Sequence, residues 1–178
     1  ADQAAYYAGS DYALRHPERV SHLVLVSTAP RWTLPSPLRP ASQIPATEDE
    51  MRSRVREAIR YAVREPDRYM RAMDEILPRM RFSPERLRWS AETEARSYDV
   101  RGRLRDVRLP TLIVHGRDDA VIPVSMAEEI RAGIPSSRLI VVEDCGHWPF
   151  VERRPEFVSA VREFLGLDSG PRRRTAQS

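Results

Sequence analysis

Thr111-Leu112-Ile113-Val114-His115-Gly116-Arg117-Asp118-Asp119-Ala120-Val121-Ile122-Pro123 is the stretch on which the fold reading turns. It opens as a short, continuous apolar run after Leu109-Pro110 and stops at a glycine. Such a run has no polar face to offer water, which marks a strand buried on both sides in a parallel sheet. Residues 124–133 then carry Met126, Ala127, Ile130 and Ala132 at helical spacing. A third buried strand is expected at Arg138-Leu139-Ile140-Val141-Val142, ending in Glu143-Asp144-Cys145-Gly146-His147-Trp148. Residues 155–165 close the unit with an apolar helix stripe of Phe157, Val158, Val161, Phe164 and Leu165. Upstream, residues 20–27 form another β-branched and Leu run, preceded by a helical pattern over residues 5–16 that Pro17 ends. Strands alternating with helices in this way predict an α/β protein with a parallel sheet.

The middle of the chain breaks that alternation. Five prolines (Pro30, Pro35, Pro37, Pro40 and Pro45) make residues 30–46 a loop or irregular crossing. Thr47-Glu48-Asp49-Glu50 spells a capping box, and the helix it opens places Met51, Val55, Ile59 and Val63 on one stripe. A second helix follows Pro66 with Met70, Met73 and Leu77, and a third is expected from Ser83-Pro84-Glu85. Residues 47–98 therefore read as a helical insertion between strands.

Composition excludes several classes. At 41% hydrophobic and 31% charged, the 178 residues suit a globular domain with a real core. No apolar run approaches the ~18 residues of a membrane span. All 29 basic residues are Arg, against 26 acidic ones, and they interleave with Glu along helices, as at Arg52, Arg54, Arg56 and Glu57. A nucleic-acid binder would gather that charge on one element. The one basic run, Arg172-Arg173-Arg174, sits in a Gly/Pro/Ser tail whose composition predicts disorder. The single Cys145 excludes an internal disulfide and suits a reducing compartment, and no signal-peptide layout opens the chain, so a cytoplasmic protein is expected. The chain also lacks an initiator Met, as a processed protein or a fragment would.

The chemistry is expected beyond the carboxyl ends of the strands, where open parallel sheets bind ligands. Two consecutive strands end in reactive side chains there, Asp119 after one and His147 after the next. A carboxylate that hydrogen-bonds an imidazole fixes its tautomer and stabilises the imidazolium formed when the ring takes a proton. Asp118 reads as a turn residue, and Cys145 as a small packed one. His16, His22 and His115 read as structural or surface residues. A metal site from Asp118, Asp119, Asp144 and His147 lacks ligand spacing on one element, so no metal is expected there. Trp148 is a candidate wall of a substrate pocket, with plain packing as the competing reading.

These residues carry a resemblance. Residues 109–119, followed by Gly146-His147, resemble the α/β-hydrolase family of serine-hydrolase type, and Tyr12-Ala13-Leu14-Arg15-His16-Pro17-Glu18-Arg19-Val20 looks like its helix after the nucleophile and the strand that follows. The likeness implies Asp119 as catalytic acid and His147 as base, with no metal or organic cofactor. It also implies a partial α/β-hydrolase fold: residues 1–32 as helix and strand of the core, 33–98 as a helical cap, 99–167 as the C-terminal core, and 168–178 as a tail. The pattern is similar to the group of proline iminopeptidases and small-molecule esterases, which implies a small-molecule ester, amide or related carbonyl substrate.

The departure lies at the start. The family's Gly-x-Ser-x-Gly elbow stands about nine residues before the position matching Tyr12, which lands on Gln3 in Ala1-Asp2-Gln3-Ala4-Ala5. No nucleophile is visible there, since a Gln cannot attack a carbonyl. Asp2 lacks the flanking glycines, and Ser10 lies in a helix pattern. The expectation is a fragment of a Ser-His-Asp hydrolase that lacks its serine. The alternative is a non-catalytic binding or interaction protein retaining the fold. A nucleotide-binding doubly wound domain is disfavoured because no strand is followed by a Gly-rich phosphate loop.

Overall fold

The computed structural model describes residues 12–31, 45–85, 88–89 and 98–167. Three strands, β1 (Leu23–Val26), β2 (Thr111–Gly116) and β3 (Ser137–Val142), form one parallel sheet in the order β1-β2-β3. Leu25 pairs with Ile113, and Ile113 with Leu139, so alternate residues point to the same face across the sheet. On one face, Leu23, Leu25 and Ile113 pack with Ala127, Ile130 and Ile134 from and after helix α3 (Val124–Gly133). On the other, Leu112, Val114 and Val142 pack with Phe157, Val161 and Phe164 of helix α5 (Arg154–Phe164). β2 is buried along its whole length because it has a neighbour on each side and a helix on each face. The expected buried character of β3 needs correcting: Arg138 is exposed and Leu139, Ile140 and Val141 are only half-buried. Among the described strands β3 pairs with β2 alone, so one long side lacks cover.

The helical segment is a second packing unit. The capping box at Thr47 is complete, with Glu50 N–H donating to Thr47 Oγ1 at 3.2 Å and Thr47 N–H to the Glu50 carboxylate at 3.4 Å. Helix α1 (Glu48–Ala62) follows, then α2 (Pro66–Ile76), which starts on a proline whose missing N–H costs nothing in a first turn. Ile59, Ala62, Val63, Met70 and Leu77 make its core, and Val121 and Trp148 from the strand-end loops pack against it. Residues 84–85 and 88–89 are helical, in line with the third expected helix. The chain returns to the sheet through a 3-10 segment, Arg101–Asp106, whose Leu104 is buried against α3. Of the expected first helix, residues 12–15 are described and helical. Most of the proline-rich stretch and the basic tail lie outside the described residues.

Candidate active site

Each side chain of the site is set by the end of a strand. β2 ends at Gly116, whose place next to the following strand-end loop admits no side chain: a Cβ there would lie 2.0 Å from the Gly146 carbonyl oxygen and 2.4 Å from that of Cys145. The β2 turn thus lies directly against the β3 turn. Arg117 N–H donates to the Val142 carbonyl and Asp118 N–H to that of Cys145, both at 2.9 Å, which locks the two turns together by backbone.

Asp119 and His147 meet across this junction. The Asp119 carboxylate divides its work between its two oxygens. Oδ1 accepts the N–H groups of Val121 and Ile122, each at 2.8 Å, and so fixes its own turn. Oδ2 lies 2.7 Å from His147 Nδ1. A carboxylate can only accept, so Nδ1 carries the hydrogen, and in the neutral ring the lone pair is on Nε2. Both residues are buried, at 7% and 3% exposure. Burial pushes the Asp119 carboxyl upward, but hydrogen bonds from His115 and His147, the His147 charge and the Ile122 amide together hold it down at about 2. The acid therefore stays an anion, able to stabilise a charged imidazole.

His115, read from the sequence as a structural or surface residue, is structural and touches the site itself. It is fully buried, with Nε2 2.8 Å from the Ile122 carbonyl oxygen and 3.2 Å from Asp119 Oδ2. Both neighbours are acceptors, so Nε2–H is shared between them and Nδ1 is left buried without a hydrogen-bond partner. His115 is thus a second donor on the oxygen that faces His147. The turn after β2 doubles back on the strand, and that brings the ring over Asp119. In the sequence, His115 looked like one more strand residue.

Asp118 faces away from this pair. It binds the Arg64 guanidinium, which also reaches Asp144 at 3.3 Å. Asp118 and Asp144 therefore share Arg64 while Asp119 serves His147 and its own turn, and among the described residues no cluster of three or more His, Cys, Asp or Glu is arranged to hold a metal ion. Cys145 is fully buried, and its thiol is pushed up to about 12, first by burial and then by the Glu152 charge, which suits a packed residue. Trp148 packs against the helical core, its ring 6.5 Å from that of Phe150. Gln3, at the expected nucleophile position, lies outside the described residues. Among those described, no helix is long and apolar enough to cross a membrane.

Comparison with known proteins agrees with this architecture. Residues 78–154 match the family model of the alpha/beta hydrolase fold. A 2-hydroxy-6-oxo-2,4-heptadienoate hydrolase of Pseudomonas putida is 37% identical over 87 residues, which is 49% of this chain and 30% of that protein. A pimeloyl-[acyl-carrier protein] methyl ester esterase of Nitrosomonas europaea is 38% identical over 61 residues, 34% of this chain and 24% of the esterase. Among solved structures, an esterase from Exiguobacterium antarcticum superimposes with a TM-score of 0.68 at 26% identity, over 88% of this chain and 61% of its own. The matched region thus spans about a third or less of the length of these curated relatives.

Proposed function

We propose, from the match to the alpha/beta hydrolase fold model and the superposition on a solved esterase, that Asp119 and His147 are the acid and base of a Ser-His-Asp triad in a small-molecule hydrolase of that fold family. The observation that carries this reading is the buried 2.7 Å bond from His147 Nδ1 to a carboxylate held anionic at about 2. In the intact hydrolase a serine attacks the substrate carbonyl while His147 Nε2 takes its proton. His147 then returns that proton to the leaving group, and water releases the acyl group by the same route. Asp119 keeps the ring in the productive tautomer throughout, and His115 holds Asp119.

In this reading α1 and α2 belong to a cap assigned to residues 33–98, and Trp148, which packs against their core, is a wall of the substrate pocket. The relatives named above favour esters and 2-hydroxy-6-oxo-dienoates over the amides also expected from the sequence. The test is hydrolysis of a p-nitrophenyl ester and a 2-hydroxy-6-oxo-dienoate by the intact protein containing this chain. His147→Ala should lower kcat by about 10⁴-fold or more, and Asp119→Asn by a comparable factor. Turnover unchanged in His147→Ala would refute the assignment. Substrate binding without turnover in the unsubstituted protein would favour a non-catalytic binding role.

A further inference from the structure

We infer that Glu152 is a positioning residue for the base, one that holds the His147 loop by its backbone and ties it to the turn between α1 and α2. Its bearing on catalysis rests on the hydrolase reading above. Glu152 is the last residue of the short helix α4 (Pro149–Glu152) and is half-buried. Its Oε1 accepts the N–H groups of Gly146 at 3.0 Å and Trp148 at 3.3 Å, the two residues that flank His147. Its Oε2 accepts the N–H of Arg64 at 2.8 Å, from the turn after α1. The remaining amide of the loop, that of His147 itself, donates to the carbonyl of Ala62, the last residue of α1.

All three consecutive amides of residues 146–148 are therefore committed, either to Glu152 or to the segment Glu152 holds. The fit is close: a Cβ on Gly146 would lie 2.5 Å from the Ala62 carbonyl oxygen, 3.1 Å from Glu152 Oε1 and 3.2 Å from Val63 Cα. A carboxylate suits this place because both its oxygens accept, and charge strengthens each bond. A glutamine has one accepting oxygen, so it can serve the loop or Arg64 but not both. The Arg64 side chain repeats the link from the other direction, through Asp118 and Asp144. Glu152 donates nothing to the reaction. It makes the height and tilt of the His147 backbone depend on the seat of the helical segment.

The test is solution NMR of the isotopically labelled full chain. It follows the Nδ1–H resonance of His147 and the amide exchange of Arg64, Gly146 and Trp148, with Leu112 and Ile113 in β2 as the reference for global stability. In Glu152→Ala the three amides should exchange about tenfold faster or more, and the Nδ1–H resonance should shift or broaden, with β2 unchanged. In Glu152→Gln either Arg64 or the Gly146–Trp148 pair should lose protection while the other keeps it. A wild-type Nδ1–H resonance and wild-type exchange in Glu152→Ala would overturn the inference, as would a uniform rise that includes Leu112 and Ile113. If the alanine variant does not fold, Glu152→Gln decides alone, and full protection at all three amides overturns the inference. These signals need no turnover, so failure of the hydrolase reading would show separately, as activity indifferent to His147.

Discussion

Replacing Asp119 with Asn should remove a pH-dependent part of this protein's stability. The carboxyl of Asp119 drops from an ordinary 3.8 to about 2 in the folded chain, against the penalty of its own burial. A folded-state value below the unfolded one means that folding favours the anion. The contribution is complete above pH 4 and is lost as pH falls toward 2. Nearly two pH units of depression correspond to about 2–3 kcal/mol. Asn at this position can still accept from Val121 and Ile122, but it turns an amide NH₂ toward the donors of His115 and His147. The assay is urea unfolding of the chain and of Asp119→Asn at several pH values from 2 to 7. The gap between the two should be about 2–3 kcal/mol at neutral pH and shrink steadily below pH 4. A gap that is constant across this range would refute the reasoning, because the depressed carboxyl would then contribute nothing that depends on its charge.

Other substitutions probe the framework around the pair. Gly116→Ala should destabilise by about 1–3 kcal/mol or more, since the new Cβ meets two backbone carbonyls that cannot rotate away, and should shift the His147 Nδ1–H resonance in NMR. Ile113→Ala, at the fully buried centre of β2, should cost about 2–5 kcal/mol in urea unfolding, whereas Thr47→Ala should cost only about 1 kcal/mol by removing one half of the α1 cap. Cys145, buried with its thiol pushed to about 12, should react with Ellman's reagent at pH 8 only as the chain unfolds, so that the labelling rate rises steeply across the urea transition.

Much of the fold could be read from local pattern. The strand at 111–116 and the helix at 124–133 stand where the apolar run and the helical spacing put them, because a both-sides-buried strand and an amphipathic helix leave different periods in the chain. The helix start at Thr47 was legible for the same reason: a capping box is closed within four residues. β3 was read as buried because its residues are as apolar as those of β2. Burial, however, depends on how many neighbours a strand has, and that is not written in its own residues.

The candidate site divides along the same line. Asp119 and His147 were identifiable from the sequence because each follows a strand, and strand ends collect on one side of a parallel sheet. Local chemistry thus determined which residues could act, and the order of strands brought them together. Tertiary structure alone decided what supports them. His115 becomes a donor to Asp119 only because the β2 turn folds back over its own strand, and Glu152 and Arg64 reach the His147 loop from α4 and the α1–α2 turn. Those contacts join residues up to 88 positions apart, and no local propensity encodes such a pairing. They arise when packed elements leave buried amides that need an acceptor, and a carboxylate at the right distance supplies it.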